Sequence, residues 1–270
     1  MGEILSLPQE IIRNKRMIYK LAKNDFKKKF AGSYLGVIWA FIQPVVTVLV
    51  YWFVFQVGFR AGRGSLKVPF VLYLVAGIVP WFFFQDGLNG GTNALVEYNY
   101  LVKKVVFNIR VLPVVKLIAA LFVHLFFVVF ISFLYICYGY WPDIYYIQLF
   151  YYTGSLFLLV LGLCYVTSAV VVFFRDLSQM ISIFLQIGVW MTPIMWIAED
   201  TLGNHPTILH ILKLNPVYYV VMGFRDCFIN KVWFWERPLW TLYYWCFILL
   251  ALLGGSWVFN RLRVHFADVL

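Results

Sequence analysis

A basic segment that passes without a loop into a long apolar stretch constrains the fold of this chain most strongly. Residues 27–29 are three consecutive lysines, and residues 35–55 contain no charged side chain. At a rise of about 1.5 Å per residue, a helix over that stretch is long enough to cross the hydrocarbon layer of a bilayer. The stretch is too long for a signal-peptide core and is followed by no small-residue cleavage site. We therefore expect it to be retained as the first membrane span.

The residues before the first span have the pattern of an amphipathic helix on an anionic membrane surface. Five apolar side chains fall near one helical face, and five basic side chains take the other. The apolar set is Ile11, Ile18, Ala22, Phe26 and Phe30, and the basic set is Arg16, Lys20, Lys23, Lys27 and Lys28. We predict a cytoplasmic interfacial helix in residues 1–34, followed by a transmembrane domain over residues 35–270.

Further apolar stretches predict an integral membrane protein. Hydrophobic residues make up 63% of the chain and charged residues 13%, with a mean hydropathy of +0.82, a composition that argues against a water-soluble globular domain. Runs near the length of a span occupy residues 35–55, 68–84, 111–138, 147–174, 181–197 and 239–259. The expected fold is all-α, with six transmembrane helices.

The basic residues predict the orientation. With the amino terminus inside, fifteen lysines and arginines fall on the cytoplasmic side and seven on the outer side, as the positive-inside rule expects. Both termini are then cytoplasmic. This bias and the basic interfacial helix explain most of the net charge of +10 without any nucleic acid.

Two polar segments are longer than simple connections. Residues 85–112, on the cytoplasmic side, contain a plausible short helix over residues 94–106 that is long enough to dock a partner. Residues 198–238, on the outer side, contain two apolar pieces that are too short to span, and Asn215 and Pro216 separate them. We interpret these pieces as short re-entrant helices in the outer leaflet, with an ordinary folded loop as the alternative.

The residues give no basis for catalysis or metal binding by this chain. No stretch matches the phosphate-binding loop GxxxxGK[ST], the four histidines form no HExxH motif, and the four cysteines form no CxxC pair. None of the six apolar runs contains Asp or Glu, whereas ion-coupled carriers generally need a buried carboxylate. We therefore expect another polypeptide to supply the driving energy. Lys116, near the inner end of the third span, is expected to snorkel to the interface.

Five motifs in order resemble one family, the membrane subunits of ABC-2 type exporters of lipid-linked polysaccharides and teichoic acids. The motifs are GSYLGVIWAFIQP, AGIVPWFFFQ, NYLVKKVVFNIRVLP, FFRDLSQMISIFLQIGVWMTPIMW and LNPVYYVVMGFRD. The resemblance implies a homodimer in the bacterial cytoplasmic membrane that binds two copies of a separate ATPase. ATP and Mg²⁺ would be bound by that ATPase, so this chain would hold no cofactor.

The resemblance also implies roles for particular residues. The cytoplasmic coupling helix that docks into the ATPase would consist of Glu97, Tyr98, Asn99, Tyr100, Leu101, Val102, Lys103 and Lys104, and the interfacial helix would be the gate helix. Residues matching family motifs are Arg175, Asp176, Asn215, Pro216 and Arg225. For Arg175 and Asp176, a helix cap and a surface ion pair are an equally good reading. Arg225 is expected to anchor the outer helices rather than touch cargo.

Cargo with many hydroxyl groups needs a polar or aromatic conduit through the membrane. Two stripes are candidates for its lining, although packing faces are the commoner explanation of such stripes. They are Phe41, Trp52, Phe55 and Phe59 in the first span, and Phe184, Met191 and Met195 in the fifth. The lysines of the gate helix would hold the pyrophosphate of the lipid end.

The cargo and the class of function have alternatives. We slightly prefer teichoic acid, because basic residues at the entrance suit an acidic polymer, and an O-antigen or capsular polysaccharide is the alternative. An integral membrane glycosyltransferase is a rival from another class, and it would need a carboxylate such as Asp86, Glu97 or Asp176 at the membrane face. A scaffold that transports nothing is the third possibility.

Overall fold

The computed structural model describes residues 9–30, 32–59, 66–102, 108–203 and 205–269, and it is helical, with no strand within those ranges. We number the principal helices in chain order. They are α1 (Lys15–Lys28), α2 (Trp39–Trp52), α3 (Phe70–Thr92), α4 (Val111–Cys137), α5 (Gln148–Val171), α6 (Leu177–Met191), α7 (Pro206–Lys213), α8 (Pro216–Arg225) and α9 (Pro238–Leu262).

Shorter elements connect or extend these helices. One-turn α-helices lie at Ala94–Glu97, Asn99–Val102, Ala198–Leu202 and Phe266–Val269. The 3₁₀ segments are Gly36–Ile38, Ile144–Ile147, Phe234–Glu236 and Arg263–His265, and π-helical turns lie at Phe53–Gly58 and Asp226–Asn230. Together with α2, the first 3₁₀ segment and the first π turn form one continuous apolar helix.

Five helices are long and apolar enough to cross a membrane, which confirms five of the six predicted spans. They are Gly36–Gly58, Phe70–Thr92, Val111–Cys137, Ile144–Val171 and Pro238–His265. The predicted fifth span is shorter than expected, because α6 ends at Met191 after 15 residues. The cause is local: Thr192 precedes Pro193 and takes an extended conformation, which a residue before proline favours over the helical one.

The outer segment contains a sharply bent helix pair. Pro206–Lys213 and Pro216–Asn230 meet at 92°, and the pair is either a broken span or a re-entrant loop. Asn215 forms the bend: its side-chain oxygen accepts a hydrogen bond from the Val217 amide at 3.0 Å, and Pro216 follows at the first helical position. The described helices therefore provide five spans, or six if the bent pair counts as one crossing.

The core is built around α3, which packs against α4, α5, α6 and α8 and is buried along most of its length. Helices α5 and α9 approach each other closely at Gly162 and Gly255, where an added methyl group would overlap the opposite backbone. By contrast, α2 is the least buried of the long helices: Ala40 is its one buried side chain, and Trp39, Val46, Leu49 and Val50 are exposed.

Helix α1 packs its apolar face on α4 of the same chain. Ile18 and Ala22 are buried, and the ring of Phe26 lies 6.1 Å from that of Phe122 on α4. The predicted amphipathic pattern is therefore satisfied, at least in part, by protein rather than by lipid. The basic residues of the opposite face are all exposed.

Candidate functional site

A groove with a volume of about 590 Å³ lies between α2 and the core. We call it the groove. Its walls are Lys29 and Phe30 after α1; Trp39, Ala40, Gln43, Pro44, Thr47 and Tyr51 of α2; Ile78, Val79, Trp81, Phe82, Phe83, Gln85, Asp86 and Asn89 of α3; Ala120, Val123, His124 and Phe127 of α4; and Leu185, Gln186, Val189 and Trp190 of α6. Along α3 it extends for about 17 Å, judged from the helical rise between its first and last lining residues.

The lining of the groove combines hydrogen-bonding and aromatic groups. On α2, Gln43, Thr47 and Tyr51 follow one another at four-residue spacing and so lie on one face of the helix. Gln186 faces them from α6, and Gln85 and Asn89 contribute amides from α3. Polar side chains at membrane depth need partners, so such a set suits a solute with many hydroxyl groups.

An ion pair lies where the groove meets a second cavity. Lys29 donates a charge-assisted hydrogen bond to Asp86, and both side chains remain partly exposed. Both residues also line the second cavity, which has a volume of about 440 Å³ and is further lined by Lys28, Asn93 and Tyr100 among others. Because exposed ion pairs contribute at most about 1 kcal/mol, this pair is easily broken.

The opposite end of the groove is aromatic. The ring of Trp190 lies 6.1 Å from that of Tyr51 and 6.3 Å from that of Phe55. These rings join the ends of α6 and α2 above the polar part of the groove. The groove is thus bounded by an ion pair at one end and by aromatic rings at the other.

The predicted lining residues lie beside the groove rather than in it. Phe41 packs on Phe126, with ring centroids 4.2 Å apart, and Phe55 stacks on Phe70. Trp52 is partly buried, whereas the predicted residues Phe59, Phe184 and Met191 are exposed on the surface of the single chain. Whether those exposed side chains line a conduit in an assembly stays a prediction.

Contrary to the prediction, Met195 does not share a helical stripe with Phe184 and Met191. It follows the end of α6, in the segment that begins with the extended residue Thr192, and its side chain is buried in the core. Pro193 is the physical reason, since proline donates no backbone hydrogen bond and disfavours helix in the residue before it.

The predicted coupling helix is two one-turn helices, Ala94–Glu97 and Asn99–Val102, with a break at Tyr98 (φ −104°, ψ 30°). We call residues 94–102 the coupling segment. Tyr98 is buried and donates a hydrogen bond to Asp25 of α1 at 2.8 Å, so a tertiary contact overrides the helical pattern. Burial, together with Asp25, raises the pKa of Tyr98 and keeps its hydroxyl protonated. Of the other predicted coupling residues, Asn99 and Tyr100 are exposed, and Lys103 and Lys104 lie outside the described residues.

Lys116 does not snorkel as expected. Its side chain is 8% exposed, and its ammonium group lies 2.7 Å from Asp25 and 2.5 Å from Glu97. One buried cation of α4 thus holds a carboxylate from α1 and another from the coupling segment. A buried ammonium group keeps its charge only when it is paired in this way.

Arg225 is buried at the opposite side of the core. It donates hydrogen bonds to the carbonyl oxygens of Pro193 at 2.7 Å and Ile194 at 2.8 Å, and it lies over the ring of Tyr73 at 3.6 Å. Asn215 assists by donating to the Thr192 hydroxyl at 3.0 Å. These contacts fix the segment after α6 to α3 and α8, so Arg225 anchors the outer segment and does not reach the groove.

The remaining predicted residues are on the surface. Arg175 and Asp176 are exposed between α5 and α6, and Asp176 occupies the N-cap position without a capping hydrogen bond from its side chain. Arg16, Lys20, Lys23, Lys27 and Lys28 are exposed on α1. Among the described ranges, no three His, Cys, Asp or Glu side chains come together in a way that suits a metal ion.

The polar stripe of α2 was missed by the sequence analysis, which looked for aromatic residues. The available signal was Gln43 and Thr47, two polar side chains four residues apart in a stretch without charges. The partners of Lys116 had no such signal, because Asp25 is 91 residues away in sequence.

Comparison with known proteins gives consistent matches along the chain. The sequence profile of the family described as "ABC-2 type transporter" matches residues 17–229. A relative from Myxococcus xanthus, named "O-antigen export system permease protein RfbA", is 27% identical over 266 residues, which are 98% of this chain and 99% of the relative. Two relatives of the same name from Klebsiella pneumoniae are 24% and 25% identical over 259 and 262 residues, in both cases 94% of this chain and 95% of the relative.

Proposed function

The chain belongs to the ABC-2 type transporter family, and from this premise we propose that it is the membrane subunit of an ATP-driven exporter of a lipid-linked polysaccharide. Two observations together carry the proposal. The chain has a polar and aromatic groove, and it matches O-antigen export permeases over nearly their whole length. The groove supplies the hydrogen-bonding surface that a glycan needs inside a membrane.

The cargo we propose is an O-antigen type polysaccharide rather than a teichoic acid. The three relatives are all named as O-antigen export permeases, which favours this alternative over the teichoic acid that the sequence analysis preferred. The lining agrees with a neutral glycan, because it is dominated by amides, hydroxyls and rings, and its cation Lys29 is already paired with Asp86.

A second copy of the chain would complete the conduit. The groove is open on one side, and exposed apolar side chains of α2, of the π-helical turn after it and of α6 flank it, among them Val46, Val50, Phe53, Ile183 and Ile187. A glycan lying in a groove open to lipid would leave hydroxyl groups without partners at a cost of several kcal/mol each. A wall from a partner subunit removes that cost, so we propose a homodimer.

The energy source we propose is a separate ATPase, in two copies, that binds ATP and Mg²⁺. It would dock on the coupling segment, where Asn99 and Tyr100 are exposed beside the buried Tyr98. The exposed lysines of α1 would hold the pyrophosphate of the lipid-linked cargo before it enters the groove.

The proposed location is the bacterial cytoplasmic membrane with both termini inside, which requires an even number of crossings. Five long helices and either the bent outer pair or α6 provide six. Helix α6, about 22 Å long at the usual helical rise, crosses most of the hydrocarbon layer before the extended segment continues. The bent pair would then be re-entrant from the outer side.

The glycosyltransferase alternative is less well supported. Of its three candidate carboxylates, Asp86 is paired with Lys29 and Glu97 with Lys116, so neither is held ready as a base. Asp176 is exposed on the surface, outside the groove.

Copurification from the native membrane tests the partner. We expect a soluble protein with a phosphate-binding loop to accompany the chain in equal amount. Transfer of sugar by the purified chain alone would instead support the glycosyltransferase. Within the reconstituted complex, Gln43→Leu with Gln186→Leu should slow export of the polysaccharide while ATP hydrolysis continues. The conservative change Leu250→Val, on the exposed face of α9 and away from the groove, should leave export unchanged.

A further inference from the structure

Two buried cations, one in α4 and one directly before it, connect the N-terminal region to the residues around the coupling segment. Lys116 joins Asp25 of α1 to Glu97 within the coupling segment, as described above. Arg110, directly before α4, is buried and lies 3.8 Å from Glu10, upstream of α1. Asn108, just beyond the coupling segment, donates to the other carboxylate oxygen of Glu10 at 2.8 Å.

The two sets of contacts are built alike. In each, a cation in or next to α4 pairs with a carboxylate of the N-terminal region. In the first set Glu97 binds the same cation, and in the second Asn108 binds the same carboxylate. Tyr98 reinforces the first tie through Asp25, and Asn260 of α9 accepts a hydrogen bond from Arg110 at the second. Glu97, Tyr98 and Asn108 are therefore each linked to the N-terminal region, directly or through one cation.

The burial of these groups differs from that of the pair at the groove. In the two ties, Lys116 and Asp25 are 8% and 15% exposed, and Arg110 and Glu10 are 5% and 20% exposed, whereas Lys29 and Asp86 are 51% and 36% exposed. Glu97 is 53% exposed, so the firmer link from the coupling segment to α1 is the hydrogen bond that the buried Tyr98 donates to Asp25. Breaking a buried pair leaves an uncompensated charge, but breaking an exposed pair leaves two solvated ions. A force on the coupling segment would therefore separate Lys29 from Asp86 before it separated Lys116 from Asp25 or Arg110 from Glu10.

We propose that Lys116 and Arg110 are positioning residues that make α1 follow the coupling segment, so that displacement of that segment opens the Lys29–Asp86 end of the groove. This inference rests on the proposed function, since the displacement comes from the docked ATPase. It assigns the transmission of force to a tertiary ion-pair network rather than to the chain connectivity, because α2 and α3 lie between the two segments in sequence.

The ties can be tested without any partner. Amide hydrogen exchange over Lys15–Lys28 should become faster in Lys116→Met and in the near-isosteric Asp25→Asn. It should stay unchanged in Lys15→Met, which alters an exposed lysine of the same helix. Unchanged exchange in both of the first two variants would overturn the proposal, whatever the chain transports.

Transmission is tested in the reconstituted complex with spin labels at Asn24 on α1, Val96 in the coupling segment and Gln179 on α6, in a background without the exposed Cys137 and Cys246. Trapping the ATPase with ADP and vanadate should change the distances from Gln179 to Val96 and to Asn24 together. In Asp25→Asn and Lys116→Met, each combined with Tyr98→Phe so that the hydrogen bond from Tyr98 to residue 25 is also lost, the Val96 distance should still change, while the Asn24 distance no longer follows.

The functional consequence is uncoupling. Export per ATP hydrolysed should fall about tenfold in these variants, within the usual range of coupling free energies, while the ATPase rate is retained. An Asn24 label that moves in the variants as in the wild type would overturn the proposal. If the wild-type chain binds no ATPase, the proposed function is refuted. The hydrogen-exchange measurement still tests separately whether the two ties exist.

Discussion

Replacing Arg225 by methionine should destabilise the protein strongly, although Arg225 lies outside the groove. The guanidinium group donates to two backbone carbonyls and covers the ring of Tyr73. Each carbonyl left without a partner costs about 1–3 kcal/mol, and a desolvated cation–π contact contributes about 2 kcal/mol. Relief of the desolvation of the charge offsets part of that sum, so we expect a net loss of about 3 kcal/mol.

The assay is denaturant unfolding in detergent, combined with hydrogen exchange over residues 192–197. Arg225→Lys keeps the charge but not the forked donor geometry, so it should lose an intermediate amount of stability. Arg261→Met, an exposed arginine on α9, is the control and should change stability by less than about 0.5 kcal/mol. Equal stability of Arg225→Met and Arg261→Met, with unchanged exchange in residues 192–197, would refute the anchoring role.

Three further perturbations have defined outcomes. Gly255→Ala should destabilise by about 1–3 kcal/mol because its methyl group overlaps Gly162, whereas Gly254→Ala, which meets open space, should be neutral or gain up to about 1 kcal/mol in the same unfolding assay. Asn215→Ala should lower the free energy of unfolding by about 1 kcal/mol, because it removes the cap of α8. Asn215→Asp keeps a capping oxygen and should retain most of that stability, as measured by thermal unfolding. Asp86→Asn should change stability by less than about 1 kcal/mol but increase the modification rate of a cysteine placed at Gln43 by a water-soluble reagent, because the exposed ion pair at the end of the groove is lost.

The span pattern could be predicted from the sequence because it is a local property. An apolar run without charges is long enough to cross a bilayer whatever it packs against, and five runs do form helices of that length. The fifth run forms a shorter helix, because Thr192 and Pro193 stop α6 inside an apolar stretch that continues to Ile197. Pro193 is visible in the sequence, but the prediction of the span rested on hydropathy and did not use the proline as a helix end.

The groove could be predicted only in part, because hydropathy does not say which face of a span meets which neighbour. Phe41 and Tyr51 are both aromatic residues of α2, yet Phe41 packs on α4 and Tyr51 lines the groove. The π-helical turn at Phe53–Gly58 changes the register further, so a stripe drawn at α-helical spacing through Phe55 and Phe59 does not continue from α2.

The ion-pair network could not be predicted, because its members are distant in sequence. A lysine near the end of a span is compatible with snorkelling and with a buried pair, and only the position of Asp25 and Glu97 decides between them. Tyr98 shows the same limit, since its contact with α1 breaks a segment whose pattern is helical.

Vesicles that contain this chain, with or without its ATPase, test the central claim most directly. The quantity to measure is lipid-linked polysaccharide that becomes protected inside inverted vesicles. The account predicts protection only when the ATPase subunit and hydrolysable ATP are both present. Accumulation by the chain alone, driven by a proton or sodium gradient, would contradict it.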